Sequence, residues 1–202
     1  SIGAGGNISE YVALRFSEAS LRDFHENDVW GGLQAMLACD VPIVARIDGN
    51  CMGAGVEIAS CCDIRIASDR ARFGAPIAKL GFPMAPREAA LVMRAVGELT
   101  AREMLLSAAV LDAGDMKQRG FLNQVVGGEL LESAVHACLD RMRTLAPRAA
   151  RLNKQAFRAI ALADIAHAAT DLVASAYGYA DSAEHREGVT AFTEKRPPRF
   201  AP

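Results

Sequence analysis

Three features of this 202-residue chain predict an α/β fold. Val41 to Ile47 is an apolar run broken only by Arg46, which reads as a buried strand. That run passes through a turn and a glycine corner into Val56-Glu57-Ile58-Ala59, which reads as the first turn of a buried helix. Strand-like and helix-like patterns then alternate to residue 126, and the patterns beyond Glu129 are helical. The expected division is an α/β core over 1–126 and a helical C-terminal region over 127–202, within one domain.

The elements follow in order. Ser1 to Tyr11 is glycine-rich, and Glu10 to Glu26 is polar and expected to be partly mobile. Asp28 to Cys39 reads as a helix with Trp30, Leu33, Met36 and Leu37 on one face, although Gly31-Gly32 weakens it. After the central element, Ile64–Ser68 and Ala71–Phe73 read as short strands. Phe82-Pro83-Met84-Ala85-Pro86 is a rigid loop, and Arg87–Gly97 a helix with Leu91, Val92 and Val96 inward. Thr100-Ala101-Arg102-Glu103 has the capping-box pattern, and Asp112 caps a short helix that ends at Gly120. Phe121–Val126 is a strand. Pro147 restarts a helix towards Leu162, and a third long helix is expected from Asp164 to Tyr179.

Composition narrows the function classes. The net charge is −2 with no long basic run, which argues against a nucleic-acid partner. No apolar stretch is long enough to span a bilayer, and no signal-peptide pattern opens the chain. The five cysteines are odd in number and form no C-x-x-C, so neither a disulfide framework nor a zinc site is expected. These points together favour a cytoplasmic setting. His136 and His167 lie in helical patterns without metal-ligand spacing and read as structural or surface residues; His25 reads as an exposed loop residue. Arg151, Lys154 and Arg158 form a basic stripe, which reads as a solvated helix face.

The central stretch carries the chemistry. Asp48-Gly49-Asn50 is a turn, and Gly53-Ala54-Gly55 opens a helix whose first N–H groups lack helical partners. Together with the helix dipole they make an anion site, with the single carboxylate of Glu57 beside it. Neither G-x-G-x-x-G nor G-K-[ST] is present, so dinucleotide and P-loop readings fail. A tight turn with packing glycines and a dipole-favoured Glu57 accounts for the same residues.

The motifs Asp48-Gly49-Asn50, Gly53-Ala54-Gly55-Val56-Glu57, Cys62-Asp63-Ile64-Arg65-Ile66-Ala67 and Phe73-Gly74-Ala75-Pro76 resemble those of the crotonase (enoyl-CoA hydratase/isomerase) superfamily. Leu80-Gly81, Arg94-Ala95-Val96-Gly97 and the stretch from Arg186 to Arg196 continue the match over nearly the whole chain. The resemblance implies a crotonase-like (ββα)-type superhelix core, with a sizeable N-terminal family segment absent, and residues 127–202 as a trimerisation region. It implies an acyl-CoA thioester substrate, with coenzyme A part of that substrate and no separate cofactor or metal. It implies two oxyanion donors, the amides of Gly6 (in Ala4-Gly5-Gly6-Asn7-Ile8) and Ala54, and Glu57 as general acid/base. Gly53, Ile77 and Phe82 would line the acyl site, with Phe192 and Lys195 holding the nucleotide of CoA in a trimer or hexamer.

One departure bears on the reaction. The family's hydratases carry a second glutamate after F-G-x-P, where this chain has Ile77. The resemblance therefore favours single-acid enolate chemistry, of the isomerase type, over efficient hydration. Glu88 follows a proline-rich loop and reads as an exposed first-turn helix acid. A binding protein with little catalysis is the other class that fits.

Overall fold

The computed structural model describes residues 16–168 and 177–199. Its strands form two sheets of three among those residues. The first is wholly parallel, in the order β1 (Val44–Ile47), β3 (Ile64–Ser68), β6 (Gln124–Val126). The second pairs β2 (Asn50–Met52) with β4 (Arg72–Gly74) in parallel, and β4 with β5 (Val110–Asp112) antiparallel. Strands of the two sheets alternate in sequence through β4; β5 then stays in the second sheet and β6 returns to the first. Asp48 holds the crossover from β1 to β2: it accepts from Ser68 Oγ at 2.7 Å and from two Arg70 nitrogens at 2.7 Å each. Those Arg70 hydrogen bonds hold its carboxyl well below the usual carboxylate range.

Helices cover the sheets. α1 (Glu18–Asp23) is capped by Ser17 and runs into a π-helical segment, Phe24–Val29, and then α2 (Trp30–Ala38). The expectation of a mobile polar stretch up to Glu26 is thus corrected from residue 18 onward. Leu21 is fully buried and anchors the segment. The predicted face of α2 is the one observed: Leu33 packs with Cys61 and Leu91, and Trp30, Met36 and Leu37 join them. α3 (Ala54–Cys61) and α4 (Pro86–Val96) pack on one another over the core of Ile47, Val56, Phe73, Val92 and Met104. Phe73 and Phe121 meet edge to face at 5.8 Å within it.

Some boundaries differ from expectation. α5 is Glu98–Leu106 and begins at Gly97, whose φ of +85° turns the chain sharply out of α4. Thr100 is therefore a buried first-turn residue, and no capping box forms there. α6 (Ala113–Gln118) has the expected Asp112 cap, accepting from Asp115 N–H at 2.8 Å. α7 (Leu131–Arg143) lies against β1 and β3.

α8 (Pro147–Ala168) is continuous through Asp164, so no new helix starts there; residues 169–176 lie outside the described set. α9 (Ala183–Thr193) closes the described chain, capped by Ser182. Gly188 lets it lie directly on the Ile77–Leu80 turn: a Cβ there would overlap the Leu80 carbonyl group.

The basic stripe on α8 is not a solvated face. Lys154 is buried, donating to Asp63 Oδ2 at 2.7 Å and to the Val41 carbonyl at 3.0 Å. Arg158 reaches Asp40 at 2.7 Å and the carbonyls of Leu37 and Ala38. Both residues clamp α8 onto the end of α2 and the connection that leads from it to β1. Arg151 remains exposed. No described helix is long and apolar enough to cross a membrane.

Candidate active site

Gly53 forms the corner on which the site is built. Its φ of +52° and ψ of −118° suit glycine and strain other residues. Its N–H donates to the Gly74 carbonyl at 2.9 Å, tying the end of β2 to β4. Its own carbonyl accepts from the amides of Val56 and Glu57, at 2.8 and 3.2 Å. Among the described residues no backbone acceptor takes the Ala54 amide, the first N–H of α3. Gly6 lies outside the described residues, so its relation to Ala54 does too.

Glu57 occupies the first turn of α3 and is 9% exposed. Two effects oppose each other at this position, since burial disfavours the charge and the helix N-terminus favours it. Burial wins. It pushes the carboxyl up to about 7, with repulsion from Glu88 adding to the effect.

Glu88 corrects the expectation of an exposed acid. It is 2% exposed, in the first turn of α4. The reason is legible in the helix period: Glu88 stands three and four residues before Leu91 and Val92, on the same buried face. The proline-rich loop suggests a solvated start, whereas Pro86 is the first helical residue, Glu88 two residues on is buried, and α4 packs on α3.

His25 also departs from expectation. It sits in the π-helical segment with its side chain 12% exposed, four residues after the buried Leu21. Its Nδ1 is 3.6 Å from Glu88 Oε1, and its ring stacks on that of Tyr177 at 5.7 Å. Tyr177 donates a hydrogen bond to Glu26, which also pairs with Arg87 at 2.6 Å. Burial, followed by the Glu26 hydrogen bond, raises the Tyr177 hydroxyl well above its ordinary value. Among the described residues, both ring nitrogens of His25 and Glu88 Oε1 are buried without a hydrogen-bond partner. Nothing in the local sequence pattern marks Tyr177.

The other expected residues spread over two neighbouring regions. Ile77 is half-buried against the main core at the start of the 77–80 turn. Phe82 is buried, stacked on Tyr179 at 6.5 Å and edge-on to His185 at 5.6 Å. Phe192 is exposed on α9, and Lys195 follows it with a left-handed φ of +56°. His136 is exposed on α7, 3.0 Å from Glu132. The cysteines are free; burial pushes the thiols of Cys51 and Cys61 up to about 12, which leaves them unreactive.

The family model described as enoyl-CoA hydratase/isomerase matches residues 3–202. The chain belongs to the enoyl-CoA hydratase/isomerase family. A protein named as a probable enoyl-CoA hydratase of Mycobacterium tuberculosis is 31% identical over 200 residues, covering 98% of this chain and 75% of its own. A solved enoyl-CoA hydratase/carnithine racemase of Magnetospirillum magneticum is 32% identical with a TM-score of 0.74, covering 98% and 73%. Methylmalonyl-CoA decarboxylase, solved with 2-nitronate-propionyl-CoA, superposes with a TM-score of 0.87 at 22% identity over 98% and 76%, a likeness of fold alone. The crotonase-like fold expected of the family is the fold observed.

Proposed function

We propose that this family member is an acyl-CoA-thioester enzyme that works through an enolate, with Glu57 as its acid/base. The observation that carries this reading is the buried Glu57 carboxyl, raised to about 7, on the turn that presents the Ala54 amide. A base with a value near neutrality can both take and return a proton under ordinary conditions. Removing a proton beside a thioester carbonyl sends negative charge to the carbonyl oxygen. Two preorganised N–H donors, those of Ala54 and Gly6, would stabilise that charge; one such donor is typically worth about 3–4 kcal/mol of barrier. Coenzyme A enters as part of the substrate, its nucleotide held by Phe192 and Lys195 in a homotrimer or hexamer.

Ile77 favours isomerase-type chemistry over hydration. An apolar wall supplies no hydrogen bond to hold an attacking water. The same residue favours a second reading, a crotonase-fold protein that binds acyl-CoA with little turnover. Glu57→Gln decides between them. On the enzyme reading it abolishes turnover of an enoyl-CoA panel while acyl-CoA binding, measured by calorimetry, stays within about threefold. Binding without any turnover by the wild-type protein supports the second reading.

A further inference from the structure

We propose that Glu88 is a second proton-carrying group of this site, positioned by His25, and that it supplies the acid that Ile77 does not. The inference rests on the enolate reading for Glu57 and extends it. Three observations carry it. Glu88 lies on the buried face of α4 with one carboxyl oxygen lacking any hydrogen-bond partner among the described residues. His25 faces that oxygen at 3.6 Å, inside ion-pair reach but longer than a direct hydrogen bond, with both its ring nitrogens equally orphaned. Buried polar groups are normally satisfied, and two unsatisfied ones set against each other destabilise the fold. A site that tightens around substrate accounts for both, since catalytic hydrogen bonds are often long before substrate binds.

The third observation is the placement of Glu88 close enough to Glu57 to repel its charge, across the α3–α4 contact. Two like charges so placed disfavour joint ionisation, so the pair tends to hold one proton. Among the described residues, the other charged or titratable groups of this cluster include Glu26, Arg87, Tyr177 and Arg22, the last over the Tyr177 ring at 4.9 Å. Arg87 and the Tyr177 hydroxyl are both engaged with Glu26. That leaves His25 as the side chain among them that faces Glu88 directly, at 3.6 Å.

The proton balance is then simple. In the form of the pair that has its one proton on Glu88, the Glu57 carboxylate takes a proton from one carbon of the enoyl thioester, and the electron pair moves to the thioester oxygen. As the enolate collapses, the Glu88 carboxyl gives its proton to the other carbon. The proton left on Glu57 exchanges with solvent, Glu88 takes one up, and the pair is restored.

Two assays separate the roles: migration of the double bond in 3-hexenoyl-CoA, and α-proton exchange of butyryl-CoA in heavy water. Glu88→Gln should slow migration by roughly 10²–10⁴-fold, the scale of general acid–base catalysis, and slow exchange by no more than about tenfold. It should also move the Glu57 limb of the exchange pH profile to lower pH, which a merely structural residue would not do. His25→Gln should slow migration and alter the same profile. If Glu88→Gln does not fold, Glu88→Asp is read in its place and should lose migration similarly. Migration within about threefold of wild type in the Glu88 variant overturns the proposal, as does wild-type exchange without any migration. Exchange that survives Glu57→Gln instead overturns the underlying reading of Glu57.

Discussion

Glu57 is a buried carboxyl whose folded-state value stands well above its ordinary one, and this links chemistry to stability. The raised value, about 7 against 4.5, means the folded protein keeps a proton that the unfolded chain has released. Its contribution is therefore most favourable below about pH 4.5 and is lost as pH rises through about 7. Glu57→Gln removes the titration. The stability of the variant relative to wild type should rise between pH 5 and pH 8, by up to about 3 kcal/mol, since each pKa unit corresponds to about 1.4 kcal/mol. Urea unfolding at the two pH values checks it, and an unchanged difference would show that Glu57 is not desolvated. Glu57 is legible in the sequence because glycine-turn chemistry precedes it directly. Glu88 is harder to place, because its proline-rich loop points to solvent while its spacing to Leu91 and Val92 points to the core. His25 and Tyr177 meet only through tertiary packing, 152 positions apart, which no local period records.

The helices of the C-terminal half gain their place through a few specific contacts. Lys154 joins α8 to Asp63 and to the Val41 carbonyl, beside the strand that leads to the site. Lys154→Ala removes one donor from that carbonyl and one from Asp63 Oδ2, which keeps only the Ile43 N–H at 2.7 Å among the described residues, and should lower stability by about 1–3 kcal/mol. A urea titration checks this, and a loss below about 0.5 kcal/mol would mark the pair as surface-like. Helical spacing reveals the basic stripe; which carbonyls and carboxylates it meets depends on how α8 lies across the connection from α2 to β1, and that is not written in the helix itself. Gly188 is the second such contact. Gly188→Ala places a methyl against the backbone of Leu80 and Gly81, which cannot yield as a side chain would. α9 should lift from the 77–80 turn, seen as faster amide exchange across residues 183–193. Unaltered exchange there would contradict the close approach.

For the molecule as a whole, α/β alternation to residue 126 with helices beyond it is legible from apolar runs and turn residues. The two interleaved sheets are not, because a three-residue strand such as Arg72–Gly74 has too few positions to show a period. Large apolar side chains stand exposed on the single chain, among them Leu99, Leu106 and Phe157. With the family resemblance, they predict a trimer or a hexamer, at three or six times the 21.5-kDa chain mass, by light scattering at micromolar concentration; a monomer would contradict it. That this chain makes an enolate with Glu57 is tested most directly by the exchange of the α-protons of butyryl-CoA in heavy water, followed by mass spectrometry. The wild-type protein should exchange them, at a rate rising with pH through about 7 as Glu57 ionises, and Glu57→Gln should lose the exchange. Bound butyryl-CoA that keeps its α-protons, or exchange that persists without the Glu57 carboxylate, would contradict the enolate role of Glu57.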